Sequence, residues 1–155
     1  FVWEDSTDSK LSQNCVDLVQ RLVADDRQAA HGPADVSISD IVVLVDSIEV
    51  GRNVAETLHQ KRISLATTFE CSWHRNLTKR DLKLEFSSQR ADVKISTIHS
   101  YKGFGSSRLV VVVRSQSSTK IVFAALSRIK GSPLGQSLYV ISANRHVNNF
   151  YKRNF

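Results

Sequence analysis

Hydrophobic and polar positions along the chain form two patterns: short continuous apolar runs, and longer stretches with apolar residues on one face only. The runs at 40–45 and 108–113 are rich in β-branched residues and have the length of strands. Such runs are typical of strands covered on both faces, as in a parallel sheet. Between the runs, apolar residues recur at helical spacing, for example at Leu11, Cys15 and Leu18.

These patterns predict strands and helices that alternate along the chain. The strands are predicted at 1–4, 40–45, 63–69, 93–97, 108–113 and 137–142. The helices are predicted at 10–24 with Asp8 or Ser9 as N-cap, from Asp46 or Ser47 through Leu58, at 77–84, at 120–130, and from Asn144 onward. Strand, helix and strand of these lengths make a βαβ unit with a right-handed crossover. We therefore expect one three-layer α/β domain over residues 1–155, with a mainly parallel sheet.

The remaining segments and the overall composition limit the class of protein. Residues 27–37 contain Gly32 and Pro33 and are predicted to be a loop, and 70–91 are polar and irregular. No apolar run approaches the roughly 18 residues of a membrane span. The chain has no methionine, so we expect it to be a fragment of a longer chain.

Charge and cysteine content add two expectations. The chain has 21 Lys and Arg against 15 Asp and Glu, for a net charge of +6. This excess is compatible with a nucleic-acid partner, although a merely basic protein is an equal interpretation of charge alone. The two cysteines, Cys15 and Cys71, show no spacing pattern, which favours a reduced, cytoplasmic protein over a disulfide scaffold.

Polar side chains are concentrated just after the strand at 93–97. Thr97, His99, Ser100 and Lys102 follow one another closely, and Gly103 and Gly105 allow the backbone to turn or approach a ligand. Ligands of open α/β sheets bind beyond the carboxyl ends of the strands. Hydroxyl, imidazole, ammonium and amide groups are good partners for phosphate oxygens. We therefore predict a phosphate-handling edge; the alternative is that Thr97 and His99 only satisfy the strand end.

Three segments together resemble one family of motor proteins. VKISTIHSYKGFGSSRLVVVV (93–113) resembles motif V of the UvrD/Rep-like superfamily 1 helicases. IVFAALSRIKGSPLGQSLYVI (121–141) resembles their motif VI, and DIVVLVDSIEVGRNVAETLHQKRI (40–63) is similar to the strand and helix that open the same domain. The segments follow the family's order over most of residues 38–142. The stretch that runs from TFE through KRDLKLEF to VKISTIHSYKG is similar to helicases that are sometimes fused to nuclease-related domains.

The resemblance implies that the chain is the C-terminal RecA-like domain, motor domain 2, of an ATP-dependent DNA helicase or translocase. In that family ATP lies between two RecA-like domains and single-stranded DNA runs across both. The implied partners are single-stranded DNA and the N-terminal RecA-like domain of the same chain, and the implied cofactors of the full-length protein are ATP and Mg²⁺.

The resemblance also implies roles for individual residues. Arg128 matches the motif VI arginine that reaches the γ-phosphate, and its planar fork suits charge on phosphoryl oxygens. An ion pair at the surface is the other interpretation of Arg128. Lys102 and Gly103 are expected to bind nucleotide together with Arg128. Thr97, His99 and Ser100 are expected to contact DNA.

The sequence departs from a complete motor in several places. The family usually carries a glutamate at the position of Gly105, where it contacts the nucleotide sugar. The chain has no G-x-x-x-x-G-K-[ST] phosphate loop and no aspartate–glutamate pair after an apolar strand. We therefore expect that it contributes one wall of the site, holds no tightly bound cofactor and does not hydrolyse ATP alone. The connection RSQSSTK (114–120) is short for the family and flexible in composition.

Other candidates carry weaker signals. Cys71 and His74 have a ligand-like spacing, but no second pair follows nearby, so no metal site is predicted. Trp73, His74 and Arg75 could stack on bases, though such a group more often packs on a loop. The histidines at 31, 59 and 146 have no partner pattern and are expected at the surface.

Two functions outside a working motor stay open at this point. A helicase-like module that binds DNA or protein without nucleotide control is favoured by Gly105 and opposed by Arg128. A Rossmann-like small-molecule binder would need a glycine-rich turn after the first strand of its βαβ unit, and VDSIEVG does not supply one.

Overall fold

The computed structural model describes residues 1–29, 41–87, 92–101, 106, 108–128 and 137–154. Six strands form one sheet in which every neighbouring pair is parallel. They are β1 (Val2–Asp5), β2 (Ile41–Val45), β3 (Leu65–Thr67), β4 (Val93–Thr97), β5 (Arg108–Val113) and β6 (Ser137–Ser142). Across the sheet they stand in the order β1-β6-β5-β2-β4-β3. The predicted parallel α/β architecture is therefore confirmed.

Five helices are described, and they cover both faces of the sheet. They are α1 (Leu11–Ala29), α2 (Ile48–Gln60), α3 (Lys79–Ser87), α4 (Thr119–Leu126) and α5 (Arg145–Asn154). None of the helices in the described ranges is long and apolar enough to cross a bilayer.

Alternation along the strands distributes the core between the two faces. Val43 and Val45 pack with α1 and α2, whereas Val42 and Leu44 pack with α3, α4 and α5. Successive side chains of a strand point to opposite faces, so a strand buried on both needs an unbroken apolar run. All five residues of β2 are buried, which explains why the sequence there reads as continuous rather than alternating.

Several element boundaries differ from the sequence-based predictions. Helix α1 continues to Ala29, because Asp26 accepts a hydrogen bond from Arg108 at the start of β5 and ties this part of the helix to the sheet. The rest of the loop predicted at 27–37 lies outside the described residues. Strand β3 is shorter than predicted, and α4 ends at Leu126 instead of residue 130.

The predicted helix caps have mixed outcomes. The last helix, predicted from Asn144 onward, begins at Arg145, and Asn144 is its N-cap: its Oδ1 accepts hydrogen bonds from the backbone N–H groups of His146 and Val147 at 3.0 and 3.1 Å. Ser47 occupies the N-cap position of α2 but makes no side-chain capping bond. The carboxylates of Asp46 and Asp8, both considered as caps, are bound to the segment that follows β5 instead.

Gly51 allows α2 to approach the sheet closely. A Cβ atom at this position would lie 2.6 Å from Cζ of Phe69 and 3.0 Å from Cγ2 of Val45. Both neighbours are buried in the core, so neither ring nor methyl has free space into which it can move. Only glycine fits this helix–sheet contact.

We predict that Gly51→Ala lowers the free energy of unfolding. Overpacking costs about 1–3 kcal/mol, which outweighs the gain of roughly 1 kcal/mol in helix propensity. Urea denaturation followed by circular dichroism would measure the change. Asn53→Ala, at an exposed position of the same helix, is the control and should be neutral or slightly stabilising; equal effects of the two substitutions would contradict the close-contact explanation.

Candidate functional site

The turn that follows β4 is built as an anchored platform at the carboxyl edge of the sheet. The backbone N–H of Ile98 donates to the carbonyl of Val45 at 2.9 Å, and that of Tyr101 donates to the carbonyl of Thr97 at 3.2 Å. Ile98 and Tyr101 are buried in the core on the α3–α4–α5 face. The turn is therefore fixed by its apolar residues, which leaves the residues between them at the surface.

The residues between these anchors are exposed polar groups. His99 and Ser100 are exposed, and His99 makes no hydrogen bond within the described part of the chain. The Thr97 hydroxyl donates to Oγ of Ser100 at 2.9 Å, and the Ser100 N–H lies 3.3 Å from Oγ1 of Thr97. The structure thus brings the three predicted DNA-contacting residues together on one turn. Lys102 and Gly103 lie outside the described residues, as does Gly105.

A partly buried ion pair occupies the centre of the same edge. Asp46 follows β2 and Arg114 follows the neighbouring β5, and Arg114 Nε donates to Asp46 Oδ1 at 3.1 Å. The side chain of Asp46 is only 3% exposed, and its Oδ2 also accepts from the backbone N–H of Arg114 and from the hydroxyl of Ser117. The carboxylate is therefore satisfied by protein groups.

This pair lies where the strand order reverses. The chain leaves β2 through α2 on one face toward β3, and leaves β5 through α4 on the other face toward β6. Doubly wound sheets commonly bind their ligand in the crevice at such a reversal. Here that position is filled by the hydrogen-bonded side chains of Asp46, Arg114 and Ser117. The polar groups that a ligand could reach therefore lie to one side, at the Thr97 turn.

The two aspartates of this edge have pKa values shifted in opposite directions, one by burial and the other by hydrogen bonding. Burial raises the pKa of Asp46 above its usual value, and the neighbouring Arg114 only partly offsets the effect. Hydrogen bonds from the hydroxyl and N–H of Ser115 lower the pKa of the exposed Asp8. Segment 114–118, whose composition suggests flexibility, is held by these two carboxylates.

This network was not predicted, although the sequence contains a signal for it. An aspartate directly after one buried strand and an arginine directly after another are placed side by side if the two strands are neighbours. The order of strands in the sheet was not predicted, so the pair could not be assigned.

Arg128 follows the end of α4, and its backbone N–H donates to the carbonyl of Ala125 at 3.0 Å. The side chain is partly exposed, but its Nε is buried and has no hydrogen-bond partner in the described part of the chain. The ion pair considered as an alternative is not formed with any described residue.

The position of Arg128 relative to the Thr97 turn follows from helix α4. Its buried residues Val122 and Ala125 belong to the same core cluster as Ile98 and Tyr101, so both elements lie on one face of the sheet. The helix starts beside Ser117 at the carboxyl edge, and its eight residues span about 12 Å. Arg128 therefore lies toward the far end of that face, and among the described residues no hydrogen bond joins it to the turn.

The weaker candidates are engaged locally. The N–H of Cys71 donates to Nδ1 of His74 at 2.9 Å, burial raises the pKa of Cys71 to about 11, and burial lowers the pKa of His74. Trp73 stacks on His59 with ring centroids 4.3 Å apart. The described residues contain no cluster of three or more metal-liganding side chains. Trp73 thus packs against α2, His74 is bonded within its own loop, and His31 lies outside the described residues.

Comparison with known proteins places the fold among helicase domains. No protein-family model matches the chain, and no curated protein does. The C-terminal domain of the DEAD-box protein Dbp5 matches with a TM-score of 0.61 and 11% identity, over 99% of this chain and 81% of that one. The C-terminal part of the Fun30 ATPase domain matches with a TM-score of 0.52 and 9% identity, over 84% of this chain and 40% of that one.

A third match is the C-terminal domain of a possible DNA helicase from Lactobacillus plantarum WCFS1, with a TM-score of 0.50 and 11% identity, over 92% of this chain and 73% of that one. The chain therefore has the RecA-like α/β fold of C-terminal helicase domains. At these identities the likeness shows the fold alone, and it does not single out the UvrD/Rep-like family.

We predict that Arg114→Ala destabilises the domain by about 3 kcal/mol at pH 7, because it leaves a buried carboxylate without its cation. The folded-state pKa of Asp46 is already raised and rises further in the variant, so the folded state binds this proton more tightly than the unfolded state. The deficit is therefore expected to shrink as the pH falls through that pKa toward the unfolded value of about 4.

Denaturant titrations of variant and wild type between pH 4 and 7 would measure this difference. Arg27→Ala is the matched control, because Arg27 pairs with Asp92 at the surface and should contribute about 1 kcal/mol or less. A deficit in Arg114→Ala that is independent of pH would contradict the role assigned to Asp46.

Proposed function

We propose that this chain is the second motor domain of an ATP-dependent superfamily 1 DNA helicase or translocase of the UvrD/Rep-like kind. The observation that carries the proposal is the placement of two motif-like segments on one RecA-like sheet. The segment similar to motif V forms the anchored Thr97 turn, and the segment similar to motif VI contains α4 and Arg128, on the same face.

The buried Nε of Arg128, which has no hydrogen-bond partner among the described residues, supports a role toward nucleotide. A buried N–H donor without an acceptor costs about 1–3 kcal/mol, so such a group is expected to obtain its acceptor from a ligand or partner. Lys102 and Gly103 would contact ATP from the turn, and Arg128 would reach its terminal phosphate from the far end of α4. Hydrolysis of the terminal phosphoanhydride bond of ATP would drive movement. Arg128 would stabilise the charge on its phosphoryl oxygens. Mg²⁺ and the attacking water would be held by an N-terminal RecA-like domain of the same chain.

The exposed groups of the Thr97 turn support a role toward single-stranded DNA. Hydroxyls and imidazoles commonly contact phosphate oxygens, and such contacts position a strand without reading its sequence. Because the turn is anchored by Ile98 and Tyr101, a force on His99 or Ser100 would be transmitted to the core of the domain. A translocating motor needs this coupling between DNA contact and domain movement.

A second candidate is a helicase-like module that binds DNA or protein without nucleotide control. Gly105, which replaces the family's usual glutamate, favours it. Measurement of ATP binding separates the two candidates, since only a motor domain requires the nucleotide.

We predict that Arg128→Ala in the intact protein keeps its affinity for ATP and loses turnover by about 10³-fold, because the arginine acts on charge that develops in the transition state. Equilibrium binding of a fluorescent ATP analogue and steady-state phosphate release would measure the two quantities. The 155-residue chain alone is expected to show no steady-state hydrolysis.

Arg21→Ala is the matched control, because Arg21 is exposed on α1, on the opposite face of the sheet. This variant should hydrolyse ATP at the wild-type rate. Wild-type turnover in Arg128→Ala would remove Arg128 from catalysis. Loss of ATP binding in the variant would instead assign it to ground-state binding.

We predict that Ser100→Ala and His99→Ala each weaken binding of the intact protein to oligothymidylate by about fivefold, the loss of one hydrogen bond of about 1 kcal/mol. The thermal midpoint should not change, because both side chains are exposed. For Ser100→Ala the slope of affinity against salt should also stay constant, since a neutral hydroxyl releases no counterion. Fluorescence anisotropy would report the affinities, and Ser87→Ala on α3 is the control; unchanged binding in both variants would exclude this turn from the DNA path.

A further inference from the structure

An apolar groove lies between α4 and α5, over strands β1 and β6. Its volume is about 850 Å³, within the range of specific binding sites. Its lining is aliphatic and aromatic apart from Thr119 and His146. The lining residues that α4 and α5 contribute include Val122, Phe123, Leu126, Val147, Phe150 and Tyr151.

The two walls of the groove expose large aromatic side chains. Phe123 on α4 is 57% exposed and Phe150 on α5 is 52% exposed. Their rings meet edge to face with centroids 6.2 Å apart. Contiguous exposed apolar surface of this kind usually marks a site of interaction, because leaving it in water is unfavourable.

All charged residues in the two helices that form the walls are basic. Within Thr119–Leu126 and Arg145–Asn154 there are Lys and Arg residues but no Asp or Glu. Lys120 lies three residues before Phe123, and Arg153 lies three residues after Phe150, so each cation neighbours an exposed ring on its helix. Lys152 pairs with Asp5 of β1, whereas Lys120, Arg145 and Arg153 have no ion pair with described residues. The groove is thus apolar inside and positive at its rim.

The interior is unsuited to nucleobases. Trp3 already stacks on Tyr151 with centroids 4.6 Å apart, and its Nε1 donates to Oδ1 of Asn148. Thr119 and His146 offer few polar groups to the edges of bases, which need hydrogen-bond partners when buried. Aliphatic side chains fit this lining better than bases do.

A helix is the secondary structure that best fits the groove. Side chains of a third helix can pack into the space between two others, and a helix satisfies its own backbone hydrogen bonds in an apolar setting. The ten residues of α5 span about 15 Å, which matches apolar anchors at i, i+3 or i+4, and i+7 of a bound helix. The positive rim requires acidic residues beside that apolar stripe.

We propose that the groove between α4 and α5 binds an acidic amphipathic helix of a partner protein, with its apolar stripe against Phe123 and Phe150 and its carboxylates near Lys120 and Arg153. This surface is separate from the Thr97 turn, so the proposal does not depend on the motor function.

Two labelled peptides with one apolar stripe and different flanks would test the proposal. One carries glutamate and the other lysine at the flanking positions, and fluorescence anisotropy with the 155-residue chain measures their binding. We expect the acidic peptide to bind at least about tenfold more tightly, because the charges at the rim are all positive. Phe123→Ser and Phe150→Ser should each weaken its binding by about tenfold, and Lys120→Glu with Arg153→Glu should reverse the preference between the peptides.

Leu84→Ser is the matched control, since Leu84 is 60% exposed on α3, away from the groove, and should leave binding unchanged. Thermal melting of each variant would verify that it is folded. Equal affinity for both peptides, no binding up to about 1 mM, or an equal effect of Leu84→Ser would overturn the proposal. Competition by oligothymidylate that Phe123→Ser abolishes would also overturn the proposal and assign the groove to nucleic acid. A dimer of the chain that this variant disrupts would assign the groove to a second copy.

Discussion

The central strands are buried on both faces, and this burial fixes where polar residues can lie in the domain. Strands β2 and β5 are apolar over nearly their whole length and stand side by side in the sheet. Polar side chains cannot lie along them without losing hydration. The chemistry of this part of the domain is therefore displaced to the ends of the strands, where Asp46, Arg114 and Thr97 are found.

At the carboxyl edge of the sheet, some polar groups are bonded to one another and others are exposed to solvent. At its centre, Asp46 and Arg114 satisfy one another and hold the segment that leads into α4. Beside them, the turn after β4 is anchored from below and presents His99 and Ser100 to solvent. The ion pair thus occupies the position where a doubly wound sheet commonly binds a ligand, and leaves the neighbouring turn as the polar surface that an external ligand can reach.

The two faces of the sheet are covered differently. On one face, α1 and α2 pack closely enough that Gly51 has no room for a Cβ atom. On the other face, α4 has only eight residues, and α4 and α5 leave an apolar groove between them. The buried Nε of Arg128, without a hydrogen-bond partner in the described part of the chain, belongs to the second face as well. This less completely covered face therefore carries the features that suggest external partners, a nucleotide for Arg128 and an acidic helix for the groove.

The fold class and most of the helices and strands could be predicted from the amino-acid sequence alone, although several of their bounds were wrong. Unbroken β-branched runs predict strands buried on both sides, and helical spacing of apolar residues predicts the layers that cover them, because both signals are local. The sequence also predicted polar residues at the end of the strand that leads to Thr97 and a helix that starts near Asn144, since each of these uses residues close together in the chain.

Contacts between residues far apart in the chain could be read only from the tertiary structure. The pairing of Asp46 with Arg114 requires β2 and β5 to be neighbours, and strand order depends on crossovers that no local pattern specifies. The groove likewise exists because two short helices, α4 and α5, pack on the same face and leave apolar space between them, although their side chains Phe123 and Phe150 touch. The sequence shows that Phe123 and Phe150 are apolar, but their exposure depends on the positions of the two helices on the sheet.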